Sequence, residues 1–166
     1  MNDALGLTLF LILISLSLAA FFVVLAALFP KRTAQTRAAS DAVPGRAFLV
    51  GLVNFLFFGA LAAGSFALAQ AAEFGLLALP GLIVLAALTV GMSVGLAGVA
   101  QLVGARLAPL RPEPVRTVLG ALALGWACAL PFVGWFVLLP YVALLGLGGF
   151  IVGLFYRERS TPSAGT

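Results

Sequence analysis

The sequence carries very little charge. Only 8% of its 166 residues are Asp, Glu, Lys or Arg, whereas 63% are hydrophobic. Soluble domains contain about 25% charged and roughly 45–50% apolar residues. So few charged side chains could not cover a soluble globule of this size, and most of its apolar surface would face water. The composition therefore excludes an ordinary soluble domain and predicts an integral membrane protein.

Histidine is absent, and cysteine occurs only once, at Cys128. The lack of histidine excludes imidazole metal ligation, histidine-ligated haem or chlorophyll, and histidine general-base catalysis. One cysteine cannot form an intrachain disulfide, and Cys128 lies in an apolar stretch, where it is predicted to be a small buried hydrophobic residue. We expect no catalytic residue, no metal site and no resident cofactor, because no set of nucleophile, base and metal ligands can be assembled.

Charged residues are also missing from four long apolar runs, at Ala4 to Phe29, Ala47 to Ala72, Phe74 to Ala105 and Thr117 to Tyr156. Each run exceeds the roughly 20 residues that an α-helix needs to cross the hydrocarbon core. An ion-coupled pump or proton carrier normally has an ionisable residue inside the hydrocarbon core. Such a residue is energetically costly there and is found where the function needs it. The distribution of charge therefore argues against those functions.

The runs predict an all-α fold, built as a single multi-pass membrane domain over residues 1–159 with a polar tail over 160–166. The first three runs predict full transmembrane helices at about 4–29, 47–72 and 80–105. Gly75 and Pro80 suit a turn and a helix start, so the third helix is placed from about Pro80 onward.

The fourth run, of about 40 residues, is too long for one span and barely long enough for two. Pro131 and Gly134 break it near the middle, Trp135 follows the break, and Pro140 interrupts the second half. This pattern predicts a proline-broken hairpin with arms at 117–130 and 135–156. The hairpin either crosses the membrane as two short spans or enters and leaves on the same side.

The positive charges can decide the topology, because Lys and Arg accumulate in cytoplasmic loops. All nine lie in connections or in the tail: Lys31, Arg32, Arg37, Arg46, Arg106, Arg111, Arg116, Arg157 and Arg159. They fall on one face if the hairpin returns to its starting side. This predicts a bacterial cytoplasmic (inner) membrane protein with its N-terminus outside and its C-terminus in the cytoplasm. Contact with lipid head groups accounts for the basic residues, and we expect no nucleic acid partner.

The first connection, from Lys31 to Asp41, allows two interpretations. It could form a short helix at the membrane surface, with Ala34, Ala38 and Ala39 inward and the basic side chains toward the head groups. A solvated loop is the alternative.

Three uncharged polar residues inside the second and third spans, Asn54, Ser93 and Gln101, are candidates for contacts between helices. Such residues usually form hydrogen bonds between membrane helices. We place Asn54 and Gln101 on the cytoplasmic side, where they could meet. A cavity lined by these three residues would instead suit the passage of an uncharged molecule.

Small residues form a narrow stripe along the third span, consisting of Ala87, Gly91, Gly95 and Gly98. The second span carries a matching ladder of Gly59, Ala63 and Ala67. Stripes of this kind allow two helix backbones to approach closely. We therefore predict packing between these two spans within the chain, with dimerisation as the alternative.

Aromatic residues cluster around the hairpin turn, at Trp126, Phe132, Trp135, Phe136 and Tyr141. Amphipathic rings favour the head-group level, which predicts an anchor at the outer interface. A contact with a bound lipid, quinone or pigment is the alternative.

Four short strings follow one another along the chain: Phe29-Pro30-Lys31-Arg32, Pro44-Gly45-Arg46, Pro131-Phe132-Val133-Gly134-Trp135 and Leu145-Gly146-Leu147-Gly148-Gly149. From Phe29 to Tyr156 this order resembles small multi-pass bacterial membrane modules of unknown function, including those joined to bactofilin-like polymer-forming domains. The resemblance implies a scaffold role. The family usually has a proline after an Ile-Gly-Ile in the third span, and Thr89-Val90-Gly91-Met92-Ser93 lacks it here. The polymer-forming β-domain is absent as well.

These features predict a non-enzymatic structural or accessory subunit of a bacterial membrane complex that packs through glycine-rich helix faces. Its expected partners are the lipid bilayer and either other membrane subunits or a second copy of the chain. The alternative function is a channel or carrier for an uncharged or apolar small molecule.

Overall fold

The computed structural model describes residues 2–130 and 132–155. Its six α-helices are α1 (Asn2–Leu28), α2 (Pro30–Ala42), α3 (Pro44–Ala71), α4 (Leu79–Leu107), α5 (Glu113–Ala129) and α6 (Leu139–Phe155). A 3₁₀ turn at Gly75–Ala78 leads into α4, and a π-helical turn at Gly134–Leu138 leads into α6. The described ranges contain no β-strand, which confirms the all-α prediction.

Four segments are long and apolar enough to cross a membrane: Thr8–Leu28, Pro44–Ala71, Gly75–Leu107 and Gly134–Phe155. The first three correspond to the predicted spans, and the fourth corresponds to the second arm of the predicted hairpin. The chain thus has the helix lengths and apolarity of a multi-pass membrane protein. Helix α5, of 17 residues, forms the first arm.

Proline marks the starts of α2, α3, α4 and α5, where it occupies one of the first two helical positions. The first N–H groups of a helix have no partner inside the helix, so a residue without an N–H is tolerated there. Pro140 differs, because it follows directly after the π-helical turn at the second position of α6. Pro131, Arg157, Arg159 and the tail over 160–166 lie outside the described residues.

The first connection forms a helix, α2, so the alternative of a solvated loop is wrong. Its predicted inward face is wrong in part. Ala39 is buried, but Ala34 and Ala38 are exposed. The other buried positions are Thr33, Thr36 and Ser40. These small polar side chains face inward because they fit against glycines of α4 and α6, which bulky side chains would not allow.

Helix α6 and the π-helical turn before it contact four helices in turn. Gly134, in the π-helical turn, lies against the Ala127 and Cys128 carbonyl groups of α5. Farther along, Gly146 meets α4, Gly148 meets the start of α3, and Gly149 meets α2. A side chain at any of these positions would overlap the neighbouring helix. The glycines therefore allow α6 to pack closely against α2, α3 and α4.

Helix α5 runs antiparallel to α4. The backbone of Arg116 lies against Gly104, and Gly120 lies against the Ala100 carbonyl. At the other end of α5, Cys128 lines one cavity together with Met92. Because α4 extends from Leu79 to Leu107, α5 ends level with the middle of α4.

Candidate functional site

The small residues of α4 pack inside the chain, but against different helices from those predicted. Gly95 lies on the backbone of Gly146, and Gly91 contacts side chains of α6. A Cβ atom added at Gly98 would lie 2.8 Å from Thr36 Cβ on α2. Ala87 is exposed. The three glycines of the stripe therefore pack against α6 and α2.

The predicted pairing of this stripe with Gly59, Ala63 and Ala67 of α3 is wrong. A Cβ atom added at Gly59 would meet nothing within 4 Å, and Ala63 and Ala67 are exposed. Helix α3 instead meets α4 through Ala62, Ser65 and Phe66, which surround Gly81. Ala62 and Ala63 differ by about 100° around the helix, so two small-residue faces lie side by side on α3. The sequence pattern selected the outward one.

Asn54, Ser93 and Gln101 are not paired with one another. The Asn54 amide donates to the Val50 carbonyl at 2.8 Å, and the Ser93 hydroxyl donates to the Thr89 carbonyl at 2.8 Å. Both bonds stay within one helix. Gln101 is only 3% exposed, and its Oε1 atom has no hydrogen-bond partner. The predicted contact between Asn54 and Gln101 is therefore absent.

Gln101 lines a cavity of about 240 Å³ between α1, α4 and α5. Its other lining residues are Val23, Ala26, Ala27, Pro30, Glu113, Pro114 and Thr117. The Thr117 hydroxyl donates to the Glu113 carbonyl at 3.0 Å. Neither Asn54 nor Ser93 lines this cavity.

A second cavity, the α2 cavity, has a volume of about 350 Å³ and lies where α2 and α3 meet α4, α5 and α6. Its polar lining residues are Ser40, Arg106 and Tyr141, and its apolar ones are Pro44, Val99, Leu102, Val103, Leu124, Leu138, Val142 and Leu145. The Arg106 guanidinium also forms an ion pair with Asp41 at 2.6 Å. Sequence reasoning treated Arg106 only as a topology signal and missed this site.

Three hydroxyl side chains form one buried row on α2. The Thr33 hydroxyl donates to the Phe29 carbonyl at 3.1 Å, and the Thr36 hydroxyl donates to the Arg32 carbonyl at 2.9 Å. Ser40 is only 2% exposed, yet its Oγ atom has no hydrogen-bond partner. An unpaired buried hydroxyl costs about 1–3 kcal/mol. The spacing of these residues, at about one helical turn, is the signal that sequence reasoning could have used.

The basic connections lie at one end of the helix bundle. The ion pair of Asp41 and Arg106 joins the end of α2 to the end of α4. Pro30 and Glu113 line one cavity, which places the start of α5 beside the start of α2. These contacts gather the connections that carry Lys31, Arg32, Arg37, Arg46, Arg106, Arg111 and Arg116.

The predicted aromatic cluster divides into two parts. Trp126, Phe132, Trp135 and Phe136 are exposed, each by at least 58%. Tyr141 lies apart, with its ring stacked on Phe48 at a centroid distance of 5.4 Å. Phe132 has a φ angle of 66° in the turn between α5 and the π-helical segment. The exposed aromatic residues mark the end of α5 and the turn that follows it.

No group of three His, Cys, Asp or Glu side chains within the described ranges could hold a metal ion. The chain matches no protein-family model, and no curated protein or solved structure is significantly similar to it. The resemblance to membrane modules joined to polymer-forming domains therefore stays a prediction.

Proposed function

We propose that this protein is a non-enzymatic accessory subunit of a bacterial membrane complex, held to another subunit by the outward face of α3. The observation that carries the proposal is the open stripe of Gly59, Ala63 and Ala67. A Cβ atom added at Gly59 would meet no other residue within 4 Å. In a bilayer such a stripe gains little from lipid, but it allows a partner helix to approach closely.

The internal glycines support this assignment by contrast. Gly95, Gly146 and Gly148 are occupied by neighbouring helices of the same chain. They are not available to a partner. Among the predicted packing residues, Ala87 of α4 is also exposed, but the open residues that form a continuous stripe are those of α3.

A channel or carrier for an uncharged molecule receives less support. That function needs Asn54, Ser93 and Gln101 along one passage. The Asn54 and Ser93 side chains donate hydrogen bonds to carbonyl groups of their own helices. Neither residue lines the cavity that Gln101 lines.

The clustering of the basic connections supports an orientation with this end in the cytoplasm and the connection at Glu73 outside. The last turn of α6 lies beside α2, since a Cβ atom added at Gly153 would lie 3.1 Å from the Gln35 carbonyl carbon. This neighbourhood supports a cytoplasmic C-terminus. In a Cys128→Ala background, a membrane-impermeant maleimide should label Glu73→Cys in intact cells and Arg111→Cys only after permeabilisation. The reverse labelling would contradict the orientation.

The position of α5 favours a re-entrant hairpin over two full crossings, because α5 ends level with the middle of α4. The chain offers its own probe, since its two tryptophans, Trp126 and Trp135, both lie at the hairpin tip. In vesicles, lipids brominated deep in the acyl chain should quench tryptophan fluorescence more strongly than lipids brominated near the head group. Stronger shallow quenching would instead support the interfacial anchor.

A photo-crosslinking side chain at Leu56, a large residue that is 60% exposed and lies about one helical turn before Gly59, tests the proposed partner surface in native membranes without adding bulk to the stripe. We expect it to capture one membrane protein reproducibly. The change Gly59→Leu should abolish the capture, because it fills the stripe.

Gly64→Leu is the matched control. Gly64 also has open space around it, and it lies about 140° from Gly59 around the helix. Capture should survive this change. Crosslinks to lipid alone, or to a second copy of the chain, would contradict an accessory subunit role.

A further inference from the structure

The α2 cavity brings together three side chains that can donate hydrogen bonds. Ser40, Arg106 and Tyr141 line it, and its lining includes no acidic side chain. Aliphatic residues such as Leu138 and Val142 form the remaining walls. The cavity is therefore amphipathic, and its polar part suits an acceptor.

Arg106 provides the positive charge. One guanidinium nitrogen lies 2.6 Å from an Asp41 carboxylate oxygen, while the side chain stays 70% exposed. A guanidinium has five N–H donors in a fixed fork, so a single contact with Asp41 leaves donors for a second oxyanion. Phosphate oxygens match this fork in two parallel hydrogen bonds.

The two hydroxyl groups add neutral donors. Ser40 differs from Thr33 and Thr36 on the same buried face, because its hydroxyl makes no bond to its own helix or to any other group. The Ser40 Oγ atom is closed off from solvent and lies toward Gly149 of α6, so a rotation of the side chain about χ1 would present this hydroxyl to a ligand oxygen at the cavity. The stacking of Tyr141 on Phe48 restricts its ring.

We propose that the α2 cavity binds the phosphate group of an anionic phospholipid, with the acyl chains lying against its aliphatic walls. The volume of about 350 Å³ corresponds to on the order of ten water molecules, which leaves room for a phosphodiester. The aliphatic walls favour a lipid over free phosphate. The basic end of the bundle is also where anionic lipid head groups would gather. This site is separate from the α3 stripe.

Native mass spectrometry of the full-length chain in detergent, titrated with dioctanoyl phosphatidylglycerol, tests the proposal. Dioctanoyl phosphatidylcholine carries the same chains without net charge, and inorganic phosphate carries the charge without chains. We expect phosphatidylglycerol to bind at least several-fold more tightly than either. Equal binding of phosphatidylcholine would overturn the anionic specificity, and equal binding of inorganic phosphate would overturn the lipid assignment.

Substitutions then locate the site. Arg106→Gln should weaken phosphatidylglycerol binding about tenfold or more, since it removes charge-assisted hydrogen bonds. Ser40→Ala and Tyr141→Phe keep the side-chain shapes and should each weaken binding about two- to tenfold. Asp41→Asn should strengthen it, because Arg106 loses a competing carboxylate.

Arg111→Gln is the matched control, since Arg111 carries the same charge near the same end of the bundle without lining the cavity. It should change binding less than twofold. Equal losses for Arg106→Gln and Arg111→Gln would show only general attraction of anionic lipid and would overturn the site. Unchanged binding in both Ser40→Ala and Tyr141→Phe would also overturn it. Because these two variants alter one atom or group each, they keep the test valid even if Arg106→Gln unfolds.

Discussion

The contact of Gly95 with Gly146 predicts that one methyl group can destabilise the whole fold. A Cβ atom added at Gly95 would overlap the backbone of Gly146 and lie 3.0 Å from its Cα atom. Backbone atoms cannot rotate away as a side chain can, so α4 and α6 would have to separate. Overpacking of this kind costs typically 1–3 kcal/mol. The better helix propensity of alanine returns about 1 kcal/mol. We therefore expect Gly95→Ala to lower the free energy of unfolding by up to about 2 kcal/mol.

Gly64→Ala is the chemically identical control, because a Cβ atom at Gly64 would meet nothing within 4 Å. At Gly64 only the better helix propensity of alanine acts, so the free energy of unfolding should stay equal or rise by up to about 1 kcal/mol. Reversible unfolding in mixed micelles with increasing dodecyl sulfate, followed by far-ultraviolet circular dichroism, measures both variants. Equal stability of the two variants would refute the close packing of α4 on α6.

Three smaller effects follow from the polar groups. Gln101→Leu should raise the free energy of unfolding by about 1 kcal/mol, because it removes a buried amide oxygen without a partner; a loss would show that the amide is paired. Ser40→Ala in detergent without added lipid should stabilise the protein by about 1 kcal/mol for the same reason, whereas a loss would mean that the hydroxyl is satisfied inside the chain. Asp41→Asn should change stability by less than about 1 kcal/mol, because the ion pair with Arg106 is solvent-exposed, with side-chain exposures of 56% and 70%; thermal unfolding at low and high salt checks this.

The long helices were predictable because one property decides them. A charge-free apolar run longer than the bilayer thickness has few structures open to it other than a helix. Pro80 indicated the start of the third span, whereas the prolines at the starts of α3 and α5 were not used, and those helices begin a few residues earlier than predicted. Helix α2 was harder, because its composition is polar and its burial depends on glycines at Gly98 and Gly149, far away in the sequence. Local pattern alone placed its alanines inward.

The partners of the small-residue stripes could not be predicted for a related reason. A stripe states that close approach is possible, but it does not state which helix approaches. On α3 the pattern had two neighbouring small faces, and the one containing Ala62 packs inside the chain. The α2 cavity was missed because Ser40, Arg106 and Tyr141 come from three helices. No spacing in the sequence connects them.

The two kinds of small-residue surface allow folding and partner binding to be separated by experiment. Bulk added on α6, as in Gly148→Ala, would overlap the carbonyl of Ala47 and should reduce both stability and capture of the partner. Bulk added on α3, as in Gly59→Leu, meets open space and should leave unfolding almost unchanged while capture is lost. If Gly59→Leu destabilised the isolated chain as strongly as Gly148→Ala, the α3 stripe would belong to the internal core. It could not then serve as the surface that meets another subunit.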